Sequence, residues 1–193
     1  MRENFYMSNH WFTADLHLGH EFVARLRGFE TTEDHDYAIL SNIASTVRKQ
    51  DVLWVLGDYA MKDHAWARDQ ISAIPCRKVL IPGNHDPEHP MHRNAWSRQA
   101  EAFDTFEAVV PYQRIRLSKV DFLMAHLPYE GDHKDVDRYD EYRLPNMGLP
   151  LLCGHVHAAW RFNGNQFNVG VDVNDFKPVS TNTILQWQKV IES

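Results

Sequence analysis

Only two cysteines, Cys76 and Cys153, occur in the 193 residues, far apart and with no C-x-x-C pair. That excludes a disulfide framework and a thiolate zinc cage. No apolar run approaches the roughly 20 residues that a membrane span requires, and no basic-then-apolar stretch opens the chain. We therefore expect a soluble, untargeted, cytoplasmic protein with no membrane partner. Positive charge is also scarce, 20 Lys and Arg against 26 Asp and Glu, for a net charge of -6. A grip on extended duplex nucleic acid needs many cations along the phosphates, so a small or locally bound substrate fits better. There is no internal repeat and no low-complexity tract. The length fits one domain covering 1–193, and nothing in the composition fixes an oligomeric state.

Histidine, by contrast, is abundant: twelve are present, and His17, His20, His126, His155 and His157 sit beside segment ends. The segments themselves read as short buried strands. HWFTA (10–14), VLWVL (52–56), KVLIP (78–82), VDFLMA (120–125) and LLC (151–153) are apolar and unalternating, as in strands covered on both faces. Between the early ones the spacing predicts helices. In 31–49, Thr31 or Thr32 can cap, Glu33, Asp34 and Asp36 suit the first turn, and Leu40, Ile43, Ala44 and Val47 form an i, i+3, i+4, i+7 stripe. Further helices are expected over about 62–74, about 91–102 and the closing stretch capped by Ser180 or Thr181. The second half shifts to a meander, with two strands around a turn in QRIRLSKVDFLMA and a hairpin at Asn163-Gly164. A polar stretch at about 128–148 is too long for a mere connection and reads as a lid-like loop. The six tryptophans suit the core of a two-sheet sandwich better than a dimer contact.

Each buried strand runs into the same kind of chemistry. VLIPGNHDPEHP (79–90) leaves a strand and places Asn84, His85 and Asp86 at its tip, with Gly83 for the turn and prolines at 82, 87 and 90 stopping regular continuation. Asp15 and His17 follow the first strand, Gly57 and Asp58 the second, His126 the fourth, and Gly154, His155 and His157 the fifth. Singly, each has an ordinary account: a turn carboxylate, a strand end, a satisfied core histidine, a solvated loop. Jointly, they fall where open α/β sheets place ligands, at strand carboxyl ends. Carboxylates, neutral imidazoles and an amide oxygen, without thiolate, suit divalent manganese, iron, zinc or nickel. Seven such groups exceed the needs of one ion, whereas two ions sharing a carboxylate, roughly 3.5 to 4 Å apart, use them naturally.

In this order, D-x-H, G-D, G-N-H-D, a lone His and G-H-x-H, the motifs resemble those of the calcineurin-like metallophosphoesterase superfamily over nearly the whole chain. Within it the chain is most similar to the small single-domain phosphoesterases of bacteria and phages, which share the FTADLHLGH opening and the NVGVDV ending. The resemblance implies an α/β fold, a four-layer αββα sandwich with a dinuclear metal site at the strand carboxyl ends. It implies that Asp15, His17 and His157 hold one metal, that Asp58 bridges, and that Asn84, His126 and His155 hold the other, with manganese the first expectation. His85 is then catalytic rather than a ligand, stabilising phosphoryl oxygens or protonating the leaving oxygen, a role open to an imidazole near neutral pH. Asp86 either orients His85 or is a turn carboxylate, and His20 stands behind the ligands or faces the substrate. Ala125, where many relatives have Gly or Ser before the histidine, should leave metal binding intact.

The chemistry implied is hydrolysis of a phosphate ester, with the ions lowering the pKa of bound water and neutralising charge on the phosphoryl oxygens. Relatives of this size tend to act on phosphodiesters, including cyclic nucleotides. In the loop, Tyr129, Lys134, Arg138, Tyr139, Tyr142 and Arg143 suit stacking on a base and pairing with a phosphate. Arg25 and Arg27 are further substrate candidates, and a solvated lid explains the loop residues equally well. The alternatives are a metal-dependent nuclease or phosphomonoesterase on the same centre, and a non-catalytic interaction module on the same fold. A nuclease usually adds a basic channel or capping domain, which this acidic chain does not offer, and a non-catalytic relative would lack ligands that are all present.

Overall fold

The computed structural model describes residues 9–191. In chain order it contains β1 (His10–Thr13), α1 (Glu21–Leu26), α2 (Thr32–Thr46), β2 (Val52–Val55), α3 (His64–Ser72), β3 (Arg77–Leu80), α4 (Ala95–Ala102) and β4 (Ala108–Val109). There follow β5 (Gln113–Leu117), β6 (Val120–Met124), β7 (Leu151–Cys153), β8 (Phe162–Asn163), β9 (Gln166–Asn168), β10 (Val179–Ser180) and α5 (Thr181–Ile191). One five-stranded sheet has the order β10-β1-β2-β3-β4 and the other β5-β6-β7-β9-β8. In the first, β1 to β4 are parallel and β10 runs antiparallel along the edge of β1.

Side chains alternate across each strand, and both faces are covered, which is why the runs look uniformly apolar in sequence. Phe12, Ala14, Leu56 and Ile81 of the first sheet meet Phe122, Met124, Leu152 and Phe167 of the second, and Ile184 and Trp187 of α5 close that core. Their neighbours Leu53, Val55 and Leu80 point the other way, onto Ile39 and Ile43 of α2, Ala67 and Ile71 of α3 and Ala102 of α4. In the fourth layer, Leu123, Leu151 and Cys153 are covered by Tyr129, Leu144 and Trp160. Each large side chain fully buried this way contributes roughly 1.5–3 kcal/mol. The caps fall on expected residues: Thr31 Oγ1 accepts from Asp34 N at 3.0 Å, and Ser180 Oγ from Thr183 N at 3.1 Å. Among the described residues no helix is long and apolar enough to cross a membrane.

Four details differ from the sequence reading. The second half is not a simple meander, because β6, β7 and β9 pair in parallel and only β5 and β8 are antiparallel partners at the edges. The short helix α1 was not foreseen, six residues being too few to show a period. The buried face of α2 carries His35, Asp36, Ile39 and Ile43 while Ala44 is exposed, so two polar residues occupy positions an apolar stripe cannot reveal. Trp187 is core, but Trp96 is 78% and Trp66 37% exposed.

Candidate metal centre

The loops leaving β1, β2, β3, β6 and β7 are laced together by backbone bonds. Asp15 N donates to Gly57 O and His17 N to Asp58 O, both at 3.0 Å, and Gly154 N donates to His126 O at 3.0 Å. Five residues in them hold left-handed backbone: Asp15, His17, Asp58, His155 and His157, with φ between 48° and 71°. Non-glycine residues avoid that region, so the surrounding structure sustains local strain where the polar side chains gather. The packing leaves no room for extra atoms: a Cβ on Gly57 would stand 2.5 Å from His126 Nδ1, and one on Gly83 2.2 Å from Asp58 Oδ1.

The gathered side chains form two overlapping clusters. One atom from each of Asp15, His17 and His157 lies within 4.8 Å of the others, and the same holds for Asp15, Asp58 and His126. Asp58 Oδ2 faces His126 Nε2 at 3.4 Å, His17 Nε2 at 3.9 Å and His85 Nε2 at 4.0 Å. Asn84 Oδ1 lies 3.2 Å from His126 Nε2 and 2.9 Å from His155 Nδ1. Both ring nitrogens of buried His17 lack a hydrogen-bond partner, a state costing about 1–3 kcal/mol for each unsatisfied group and relieved by a bound cation. Burial holds the His17 pKa well below the ordinary value, which keeps its lone pair available. Burial opposes charging His126 too, yet Asp58 and Asp15 outweigh it and push that pKa up to about 10, the mark of a carboxylate cluster in want of positive charge. The donor set therefore fits divalent ions.

Behind these groups stands a ring of supports. His126 Nδ1 lies 2.7 Å from Leu56 O, which assigns it the proton and leaves Nε2 free to face Asp58. Asp172 Oδ2 faces His157 Nδ1 at 3.4 Å, and Asp132 Oδ2 lies 2.9 Å from His155 Nε2. Both arrangements fix the orientation of a ring, and that of His155 turns Nδ1 to Asn84 Oδ1. Neither aspartate was foreseen, although Asp172 lies within the NVGVDV stretch. Asn168, fully buried in the same stretch, donates to His157 O at 2.8 Å and Trp160 O at 2.9 Å, pinning the G-H-x-H loop. Asp86 accepts from Gly83 N and Asp58 N at 2.8 Å and from Tyr59 N at 3.1 Å, so it is the turn carboxylate of the two alternatives.

Four residues offered either to the substrate or as supports behind the ligands are placed by burial and direction. Arg27 is buried and bidentate on Asp172, at 2.8 and 2.6 Å, with a further bond to Asp15 O at 2.8 Å. Arg143, its side chain 5% exposed, donates to backbone carbonyls of its own loop. Tyr129 is buried with its hydroxyl on Leu149 O at 3.1 Å, and Arg25 lies on the exposed side of α1 paired with Glu21. His20 is half-buried at the rim, its ring edge-on to His17 at 5.9 Å. Tyr139 meets the His155 ring at 5.7 Å and Tyr142 the His89 ring at 5.6 Å, while Lys134 is exposed. A surface cavity of about 790 Å³ lies elsewhere, between α2 and α3 beside Gly19 and Trp66, and has no imidazole in its lining.

Two facing sheets that collect aspartate, histidine and asparagine at the carboxyl ends of their strands build a candidate site for divalent metal ions, as a metal-dependent hydrolase of phosphoric esters requires. The chain belongs to the calcineurin-like phosphoesterase family, whose profile matches residues 9–159. Members typically use a dinuclear divalent metal site and act on small phosphate esters. The chain is 38% identical to the Gene 66 protein of Mycobacterium phage L5 over 181 residues, 86% of this chain and 87% of that protein. It is 36% identical to the Gene 66 protein of Mycobacterium phage D29 over 189 residues, 90% and 93% of the two chains. A protein of unknown function from Aquifex aeolicus shares the fold, with a TM-score of 0.71 and 24% identity over 94% of this chain and 100% of that one.

Proposed function

We propose that the chain hydrolyses small phosphodiesters, cyclic nucleotides among them, at a centre of two divalent ions, manganese first. Asp15, His17 and His157 would hold one ion, Asn84, His126 and His155 the other, and Asp58 both. One observation carries this: Asp58 Oδ1 accepts the His85 backbone N–H at 2.9 Å, which leaves Oδ2 directed between His17 and His126. When bound, such ions lower the pKa of water and neutralise charge on phosphoryl oxygens. The chain's own contribution beyond holding them is His85. Its side chain is 38% exposed, against 3% or less for His17, His126 and His155, and Nε2 reaches over Asp58. A proton on that nitrogen can bond a phosphoryl oxygen or pass to the leaving oxygen.

The preference for diesters is supported by how the guanidiniums around the cluster are engaged. Arg27 is held by Asp172, and Arg138 and Arg143 by Asp132, so a monoester's second negative charge meets no free guanidinium among them. The free thiols of Cys76 and Cys153 suit the reducing cytoplasm. The test is metal-stripped protein, reloaded with manganese and given an aryl phosphodiester, an aryl phosphomonoester, cyclic nucleotides and single-stranded and duplex DNA. Diester turnover should exceed that of monoester and of DNA. Faster cleavage of DNA would instead favour a nuclease, a reading with one feature behind it: a cavity of about 320 Å³ beside His85 that carries Arg93 and Arg98.

A further inference from the structure

We propose that Asp132 is a positioning residue for His155, and that the 128–143 segment is a fixed strap of the metal centre rather than a lid. This rests on the ligand role given to His155 above. The His155 ring is held from both sides, Nδ1 at 2.9 Å from Asn84 Oδ1 and Nε2 at 2.9 Å from Asp132 Oδ2. A carboxylate on Nε2 keeps the proton there, so the lone pair of Nδ1 points into the cluster. The Asp132 side chain is fully buried although residues 133 to 137 after it are exposed, so something must hold it in. Two guanidiniums do. Arg138 donates to its two oxygens from Nη2 at 2.9 Å and Nε at 3.2 Å. Arg143 ties the strap's backbone together through Pro128 O, Gly131 O and Arg138 O, at 3.0, 3.1 and 2.9 Å. Its remaining nitrogen, Nη2, is buried without a hydrogen bond and stands 3.5 Å from Asp132 Oδ2.

Asp132, His133 and His155 are close enough to suggest a third metal site. The guanidinium of Arg138 already stands on that carboxylate, so the group is an ion pair with a histidine attached, and its output is the orientation of His155.

Manganese titration of the metal-stripped protein by calorimetry tests this without reference to any substrate. The wild type should take up two ions. Asp132→Asn should bind one of them unchanged and the other about 10–100-fold more weakly. The same ion should be lost outright in His155→Ala. Asp132→Glu, which keeps the carboxylate, should recover part of the affinity, and Arg138→Gln should weaken the same ion without touching the cluster. At saturating manganese the Asp132→Asn variant should regain turnover with an unchanged KM. Two ions bound by Asp132→Asn with wild-type affinities, or, should that variant not fold, by Arg138→Gln, would overturn the inference while leaving the metal centre standing. A wild-type protein that takes up no manganese would overturn the ligand role of His155 and this inference with it.

Discussion

Arg27 and Asp172, 145 residues apart, meet as a buried bidentate pair, Nε to Oδ1 at 2.8 Å and Nη2 to Oδ2 at 2.6 Å. The pair joins the two ends of the described chain at the centre. Arg27 holds the Asp15 and Leu16 carbonyls, at 2.8 and 3.2 Å, and Asp172 faces His157. An arginine that sequence reading offers to the substrate thus fixes the backbone of one cluster member and, through Asp172, the ring of another.

The pair also gives stability a pH dependence. Burial opposes the charge on Asp172, but His157 and Arg27 outweigh it and hold its carboxyl well below the ordinary range. A depressed folded-state pKa means stability that is present above the unfolded value near 4 and is lost as pH falls below it. Asp172→Asn should therefore cost about 3–5 kcal/mol at pH 7, because it strands the Arg27 charge. The gap to wild type should narrow steadily as pH falls below about 4, where the unfolded chain takes up the proton that the folded carboxyl still resists. Urea unfolding of both proteins across this range measures it, and a gap constant with pH would contradict the argument.

Asp58→Asn removes the charge that stands between the two clusters, 3.9 Å from His17 Nε2 and 3.4 Å from His126 Nε2. Burial alone would raise the Asp58 pKa, but His126 and His17 reverse this and keep a full carboxylate at neutral pH. We expect aryl phosphodiester turnover to fall by at least about 100-fold. Metal analysis should show fewer than two ions per chain. Retained activity in this variant would be incompatible with a shared Asp58.

His85→Ala separates holding from reacting. The bond to Asp58 comes from the His85 backbone N–H, which alanine keeps, and the ring stands outside both clusters. Turnover should drop by about 10²–10⁴ while metal content stays at the wild-type level. Loss of both ions in this variant would show that the ring is itself a ligand.

Much of this arrangement was legible because the chemistry lies within four residues of strand ends, and apolar runs announce strands: Asp58 follows β2 and Asn84 follows β3 almost at once. The supports were not legible, since their partners are remote. Asp132 lies 23 residues before His155 in a stretch whose charges look solvated, and only burial separates a clasp such as Arg143 from a lid residue. Periodicity counts apolar side chains, so it finds Leu40, Ile43 and Val47 on the inner face of α2 and misses His35 and Asp36. There Asp36 Oδ2 accepts Gly19 N at 2.9 Å and Oδ1 holds His35 Nδ1 at 2.7 Å. The loop's composition leaves Tyr129 open to a base or to a solvated lid, and packing gives it instead to the outer face of the second sheet.

Gly83→Ala tests whether close packing of the loops is what brings the clusters together. The added Cβ would lie 2.2 Å from Asp58 Oδ1 and 2.7 Å from Asp58 N, so the loop carrying Asp58 must move. Overpacking of this kind costs about 1–3 kcal/mol. Gly164→Ala is the control: nothing lies within 4 Å of its Cβ, and its cost comes from a φ of +55°, far from the cluster in the β8–β9 hairpin. A left-handed alanine costs about 1–2 kcal/mol, so the two variants should be comparably unstable in urea. They should differ in manganese binding, weakened in Gly83→Ala if Asp58 serves both ions as proposed, and unaltered in Gly164→Ala. Equal metal affinity in the two would mean that the Asp58 loop can shift without disturbing the centre, and that its close contact with Gly83 is incidental.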